Sequence, residues 1–162
     1  MALIYKSVST DVALTDSRNV IRQAFATVAE QFNLTVENAP TNPAFIELRH
    51  LQRMREKGIV MFGVFCEGVQ VGFVAIERKD TQSFYLERLA VLPQYRHKGY
   101  GRKIVEYAAA YIAGQGGKAI VIGMIASHAV LKAWYHSLGF QELEIKQHPH
   151  LPFPVCYMEK RL

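Results

Sequence analysis

A short basic segment between an apolar run and a periodic segment carries the residue types best suited to binding an anion. Residues 93–107, PQYRHKGYGRKIVEY, place four lysine and arginine residues around two glycines. Glycine lets a backbone bend sharply and bring its N–H groups close to a ligand. The first turn of a helix leaves N–H donors unpaired beside a partial positive charge. These features predict a pyrophosphate-binding site. The alternative is a basic turn that is simply exposed to solvent.

The segment differs from two widespread phosphate-binding loops. The sequence contains neither the P-loop pattern G-x-x-x-x-G-K-S/T nor the dinucleotide fingerprint G-x-G-x-x-G. The net charge of +5, from 19 basic and 14 acidic residues, suits an anionic ligand and equally an ordinary surface. Because the basic residues gather at one loop and no nucleic-acid motif is present, we do not expect nucleic-acid binding.

Length and composition indicate one globular domain over residues 1–162. Half of the residues are hydrophobic, and no linker or repeat is visible. Cys66 and Cys156 each lie in an apolar run, which is typical of reduced core thiols. No apolar run reaches membrane-spanning length, and the first residues lack a signal-peptide pattern. We therefore expect a cytoplasmic protein without a membrane segment.

The apolar spacing predicts an α/β layered domain with the element order β-α-α-β-β-β-α-β-α-β-β. The predicted helices start near Asp16, at Asn42-Pro43, after Gly101 and at a Ser127 cap. The apolar stripe of the last helix, which we expect to be buried, is Val130, Leu131, Trp134 and Leu138. The predicted strands cover residues 3–8, 59–66, 69–78, 83–91, 118–125, 140–145 and 155–162.

Two segments resemble the signatures of the GNAT superfamily of N-acyltransferases. LERLAVLPQYRHKGYGRKIV is similar to the acyl-CoA-binding motif R/Q-x-x-G-x-G/A, which follows a strand ending in AV. SHAVLKAWYHSLGF is similar to the second signature, N-x-x-A-x-x-F-Y-x-x-x-G-F, although His128, Leu131 and Trp134 depart from it. The element order also agrees, so the resemblance covers nearly the whole chain. It implies a mixed, mostly antiparallel sheet of about seven strands flanked by about four helices.

The resemblance further implies that acetyl-CoA lies where two strands splay apart. Backbone groups of Leu89, Ala90 and Val91 would bind the pantetheine arm as an added strand would, and nearby N–H groups would polarise the thioester carbonyl. The residues expected around the pyrophosphate are Arg96, His97, Lys98, Gly99, Tyr100, Gly101 and Arg102.

Glu87 is the candidate general base. In FYLERLAV, strict alternation would put Tyr85, Glu87, Leu89 and Val91 on one face. Several members of the resembled family carry a base or a water-binding residue at the positions of Tyr85 or Glu87. An amine of pKa about 10.4 is neutral in roughly one molecule per thousand or fewer at pH 7, so attack on a thioester needs a proton acceptor. The alternative for Glu87 is an ion pair with Arg88, Arg78 or another surface base.

Tyr135 is the candidate general acid. The resemblance puts its hydroxyl near the CoA sulfur, where it would protonate the departing thiolate. Because a thiol of pKa about 8.5 leaves readily, the expected contribution is moderate. If Trp134 takes the buried position, Tyr135 is free to face the cleft; the alternative is an aromatic ring that packs the helix. Neither cysteine has a histidine at a spacing that would indicate a catalytic Cys–His pair, so no covalent acyl-enzyme is expected.

Two loops are candidate walls of the acceptor site: residues 38–45, NAPTNPAF, and residues 147–155, QHPHLPFPV. His148 and His150 could titrate there near pH 6.5, but two histidines without a third ligand do not predict a metal site. The implied reaction moves an acetyl group directly to a primary amine of a small molecule or peptide, and homodimers are common in the family. The alternative function is a CoA-binding sensor or regulatory module without turnover.

Overall fold

The computed structural model describes residues 2–162 and contains a seven-stranded sheet with two helices on each face. The strands are β1 Ile4–Ser7, β2 Val60–Cys66, β3 Val69–Arg78, β4 Ser83–Val91, β5 Ala119–Ile125, β6 Gln141–Gln147 and β7 Pro154–Arg161. The helices are α1 Asp11–Gln31, α2 Leu48–Glu56, α3 Tyr100–Gly114 and α4 Ala129–Ser137, with 3₁₀ turns at Pro43–Phe45 and Pro93–Tyr95. The predicted layered architecture is confirmed. No helix in residues 2–162 combines the length and apolarity that a membrane crossing requires.

The two central strands of the sheet separate along their length. The strand order is β1-β2-β3-β4-β5-β7-β6, and every neighbouring pair is antiparallel except β4 with β5. Those two strands pair only from Ser83–Ala119 to Tyr85–Val121. Beyond these positions β4 continues along β3, and β5 continues along β7. A cleft therefore opens between them, as the resemblance implied.

Each face of the sheet has its own apolar core. Ile104 and Phe140 are fully buried in the core under α3 and α4, and Leu14 and Phe73 are fully buried in the core under α1 and α2. Burying a side chain of this size contributes roughly 1.5–3 kcal/mol. The splayed strands are thus held in position from both faces.

The first two helices begin at residues other than those predicted. Helix α1 begins before Asp16, because the hydroxyl oxygen of Thr10 caps it. Asn42 accepts a capping hydrogen bond as predicted, but it starts only the 3₁₀ turn. Helix α2 begins later, where the N–H of Glu47 donates to Nδ1 of His50 at 3.0 Å. A longer connection than predicted therefore joins the two helices.

Helix α4 corrects two further predictions. Its cap is His128 rather than Ser127, because the His128 Nδ1 atom accepts from the N–H of Leu131 at 3.3 Å. Val130 is 77% exposed and lies outside the core, whereas Leu138 is buried as predicted. The helix meets the sheet along a line that runs from Leu131 toward Leu138, and Val130 is not on that line.

Candidate active site

The turn between β4 and α3 presents a row of unpaired backbone donors. Within residues 2–162, no N–H group of residues 97–102 donates to a protein acceptor. His97 and Gly99 have φ values of 63° and 81°, and such left-handed residues turn successive N–H groups into one concave surface. Gly99 immediately precedes α3, so the helix dipole adds partial positive charge there. Lys98 and Arg102 are exposed beside the turn. This arrangement fits a diphosphate.

The side chain of Arg96 is bound to the protein rather than presented to the open side of this turn. Its Nη2 donates to the carbonyl oxygen of Ala24 at 2.7 Å, its Nη1 to the Thr27 hydroxyl at 3.0 Å, and its Nε to the Val91 carbonyl at 3.3 Å. Its own N–H donates to the carbonyl of Pro93. Burial lowers the pKa of this guanidinium. Arg96 therefore connects the end of β4 to α1.

Tyr100 and Gly101 face the interior, so their predicted contacts with a cofactor are available only through their backbones. The Tyr100 hydroxyl lies 3.5 Å from the sulfur of Cys66. A Cβ atom built on Gly101 would lie 2.9 Å from Cζ2 of Trp134. The absence of a side chain at position 101 thus lets the indole ring pack on the first turn of α3. Cys66 and Cys156 are both buried and unbridged.

The β4 segment along the cleft has core side chains and an unpaired edge. Leu89 and Val91 pack against the core under α3, and Ala90 is 1% exposed in the core under α1. Among the described residues, no strand pairs with β4 on its β5 side beyond Tyr85. The predicted backbone role of residues 89–91 is compatible with this edge, although the Val91 carbonyl already accepts from Arg96.

A β-bulge at Arg88 changes which residues of β4 share a face. The residue pairs on either side of it are Glu87–Ala75 and Ala90–Phe73, so two residues of β4 oppose one of β3. Arg88 has φ 52°, a left-handed conformation that costs a residue with a side chain on the order of 1–2 kcal/mol. The predicted common face is therefore wrong beyond Glu87. Glu87 lies on the side of α1 and α2, whereas Leu89 and Val91 lie on the side of α3.

Glu87 has the properties of a base that acts near neutral pH. Its side chain is 26% exposed, and its Oε2 lies 3.3 Å from Nη1 of Arg88. Burial, together with the neighbouring carboxyl of Glu77, raises the pKa of Glu87 to about 7 against the opposing charges of Arg88 and Lys57. A perturbed carboxyl beside a cleft is a candidate for proton transfer.

Tyr135, not Trp134, occupies the buried position on α4, which corrects the sequence prediction. Tyr135 is 7% exposed and contacts the rings of Trp134 and Phe140 with centroid distances of 4.9 and 5.3 Å. Its hydroxyl has no hydrogen-bond partner among residues 2–162. In that part of the chain the only fully enclosed, unpartnered side-chain N or O atom is Nε of Arg88, so the Tyr135 hydroxyl is not completely enclosed although the side chain as a whole is buried. Burial raises the pKa of this phenol.

The two candidate catalytic residues lie on opposite sides of the splayed strands. Tyr135 belongs to the core under α3 and α4, and Glu87 lies on the other face. The unpaired stretch between β4 and β5 separates them. A group that enters the cleft would therefore have the face of Tyr135 on one side and the face of Glu87 on the other.

The two predicted acceptor loops meet on the face that carries Glu87. Phe153, from residues 147–155, packs on a cluster that contains Ala39 and Ala44 of the other loop. His148 is hydrogen-bonded through Nε2 to the Tyr157 hydroxyl at 2.8 Å, and His150 is exposed. Among residues 2–162, no three His, Cys, Asp or Glu side chains are grouped to hold a metal ion.

Sequence reasoning missed Glu77 and the conformation of Arg88. The hairpin register pairs Glu77 with Tyr85, beside Glu87, so counting back from the turn between β3 and β4 could have found it. The positive φ of Arg88 has no signal in the sequence, because arginine is not a residue that favours it. Tyr157 was missed as the partner of His148.

Solved structures share this architecture at low sequence identity. The ribosomal-protein-S18-alanine N-acetyltransferase from Escherichia coli has a TM-score of 0.77 and 18% identity, with 99% of this chain and 94% of that chain covered. The PaiA N-acetyltransferase from Thermoplasma acidophilum, in complex with coenzyme A, has a TM-score of 0.73 and 18% identity over 100% of both chains. A GNAT family acetyltransferase from Elizabethkingia anophelis with acetyl-CoA bound has a TM-score of 0.64 and 13% identity, covering 81% and 90%.

A family comparison covers the part of the chain that forms the cleft. No curated protein gave a significant match. The family model described as "Acetyltransferase (GNAT) domain" matches residues 57–142, more than half of the 162 residues. That range contains both splayed strands, the turn at residues 97–102, Glu87 and Tyr135. The chain belongs to the GNAT family of acetyltransferases.

Proposed function

We propose that this protein transfers an acetyl group from acetyl-CoA to a primary amine by direct attack in a ternary complex. The observation that carries the proposal is the row of unpaired N–H groups at residues 97–102, which follows the β4 strand of the cleft. Such a row suits a diphosphate, and an unpaired strand edge suits an extended amide-bearing arm. Coenzyme A combines these two parts. Two structures of the same fold contain coenzyme A or acetyl-CoA.

In this proposal Glu87 removes the proton from the attacking amine, directly or through a water molecule. A pKa of about 7 leaves Glu87 about half ionised at neutral pH, while it remains basic enough to accept a proton. The acceptor amine enters from the face of α1 and α2, between the loops at residues 38–45 and 147–155.

Tyr135 donates a proton or a hydrogen bond to the departing sulfur from the opposite face. Because burial raises its pKa, the phenol stays protonated throughout the neutral range. Its hydroxyl has no protein partner within residues 2–162 and is free for this contact. The acetyl group then passes from sulfur to nitrogen between Tyr135 and Glu87.

The test combines binding with turnover. Calorimetry of the purified chain with acetyl-CoA should give a saturable heat that coenzyme A competes away. Thiol release should then depend on added amine across a panel of a polyamine, an amino acid, an aminoglycoside, a peptide N-terminus and a peptide lysine. Absence of binding would overturn the proposal. Binding without amine-dependent release from any member of the panel would replace the transferase with a CoA sensor.

A further inference from the structure

The bulge in β4 puts two consecutive side chains, Glu87 and Arg88, on the same face of the sheet. Successive residues of a regular strand point to opposite faces. Arg88 breaks this alternation with φ 52°, and its Nη1 lies 3.3 Å from Oε2 of Glu87. We infer that Arg88 is a positioning residue that fixes the Glu87 carboxyl and supports its ionised form. The catalytic consequence of this inference rests on the proposed function; the contact itself does not.

Arg88 carries two features that fold stability alone does not favour. Its backbone is left-handed although it has a side chain, and its Nε is fully enclosed and has no hydrogen-bond partner in the described part of the chain, residues 2–162. Both features are unfavourable in a folded protein. A glycine would remove the backbone strain, and a shorter side chain would remove the enclosed donor. Strained residues of this kind cluster where a side chain must be held for function.

The charges around Glu87 come from three elements and oppose one another. Glu77 of β3 faces Glu87 and favours its protonated form, as burial does. Lys57, which follows α2, and Arg88 favour the carboxylate. Of these charged groups, Arg88 is the one in ion-pair contact. Arg88 also acts on His50 of α2, whose imidazole pKa is lowered mainly by burial and by Arg49, with a smaller contribution from the positive charge of Arg88. Loss of the guanidinium therefore leaves burial and Glu77 opposed mainly by Lys57.

The experiment reads the Glu87 carboxyl directly. Full-length protein labelled with ¹³C-glutamate is titrated by NMR, and the Glu87 signal is assigned by its loss in Glu87→Gln. In Arg88→Gln we expect the Glu87 pKa to rise by about 0.5–1 unit, since an opposite charge at this distance lowers a carboxyl pKa and the pair is partly exposed. In Arg88→Lys, which keeps a positive charge, the Glu87 pKa should rise less. The control Arg161→Gln removes an exposed arginine paired with Glu159 and should leave the signal unchanged.

The outcomes separate this inference from the proposed function. An unchanged Glu87 titration in Arg88→Gln overturns the role of Arg88. If that variant does not fold, Arg88→Gly relaxes the positive φ and gives the same measurement. In the kinetic arm, the acidic limb of kcat/KM should move upward with the NMR value in Arg88→Gln. If the Glu87 pKa measured by NMR rises but the acidic limb of kcat/KM stays in place, Arg88 still positions Glu87. The assignment of Glu87 as the general base has then failed.

Discussion

The indole ring of Trp134 packs directly over Gly101, since a Cβ atom built at Gly101 would lie 2.9 Å from Cζ2 and 3.2 Å from Cη2 of the ring. This contact joins the first turn of α3, which has the unpaired N–H groups, to α4, which carries Tyr135. The small residue at position 101 therefore serves packing as well as access to the backbone. The contact of Gly101 with Trp134 links the proposed diphosphate-binding turn to the helix of the proposed acid, Tyr135.

Gly101→Ala should destabilise the protein, because the new methyl group must displace the indole ring. We expect a loss of roughly 1–3 kcal/mol in the free energy of unfolding and weaker binding of coenzyme A. Urea unfolding and calorimetry measure the two effects. Adding Trp134→Leu should recover part of the stability. If the two substitutions are simply additive, the ring contact is not the cause.

Arg96→Gln should affect stability more than cofactor binding. The substitution removes the three hydrogen bonds that connect β4 to α1, so we expect a loss of about 2–3 kcal/mol in the free energy of unfolding. The matched control is Arg102→Gln, at an exposed position beside the N–H row. It should leave stability within about 0.5 kcal/mol and weaken coenzyme A binding, most clearly at low salt. The opposite pattern would support the predicted role of Arg96 as a direct ligand of the cofactor.

Glu87→Gln should lower activity and remove the acidic limb of the pH profile. With a Glu87 pKa of about 7, kcat/KM of the parent should rise as pH increases through 7, because the carboxylate is the active form. The variant should lose roughly 10²-fold in kcat/KM at pH 7.5, as expected when a general base is removed. Initial rates from pH 5.5 to 9 measure this. An unchanged limb in the variant would assign that limb to another group.

The same substitution should stabilise the fold at alkaline pH. The Glu87 pKa is raised in the folded chain to about 7 from an ordinary 4.5, so the folded state binds this proton more tightly than the unfolded state. The stability that this proton provides is present below about pH 4.5 and is lost as pH rises through 7. At pH 8.5, Glu87→Gln should be more stable than the parent by on the order of 1–2 kcal/mol after allowance for partial exposure. Urea unfolding at pH 5 and 8.5 should show that the difference in free energy of unfolding between Glu87→Gln and the parent grows with pH. A difference that stays constant would contradict the raised pKa of Glu87.

Tyr135→Phe should reduce kcat with little change in stability, since the hydroxyl has no protein partner within residues 2–162. We expect a loss of about 10-fold, because a thiolate needs only moderate help to leave. No basic limb from Tyr135 should appear in the parent below pH 10, because burial raises its pKa. Tyr107→Phe, on α3, is the control for loss of a phenol elsewhere. Equal kcat in parent and Tyr135→Phe would limit Tyr135 to packing.

Much of the fold could be predicted because the evidence for it is local. Apolar spacing gave the order of strands and helices, and the turn residues Glu67 and Gly68, both with positive φ, join β2 to β3 in a tight hairpin. The row of N–H donors also follows from local features: glycines, and the start of a helix. These properties depend on residues near one another in the chain, so the sequence alone determined them.

The tertiary structure decided which side chains occupy the site. The bulge at Arg88 arises in pairing with β3 and reverses the face of the residues that follow. Arg96 meets Ala24 and Thr27, far away in sequence, only after α1 packs on the sheet. Trp134 packs over Gly101, a residue distant in sequence, and its neighbour Tyr135 is buried in the core under α3 and α4. Each outcome depends on contacts between distant segments, and no periodicity within one segment encodes them.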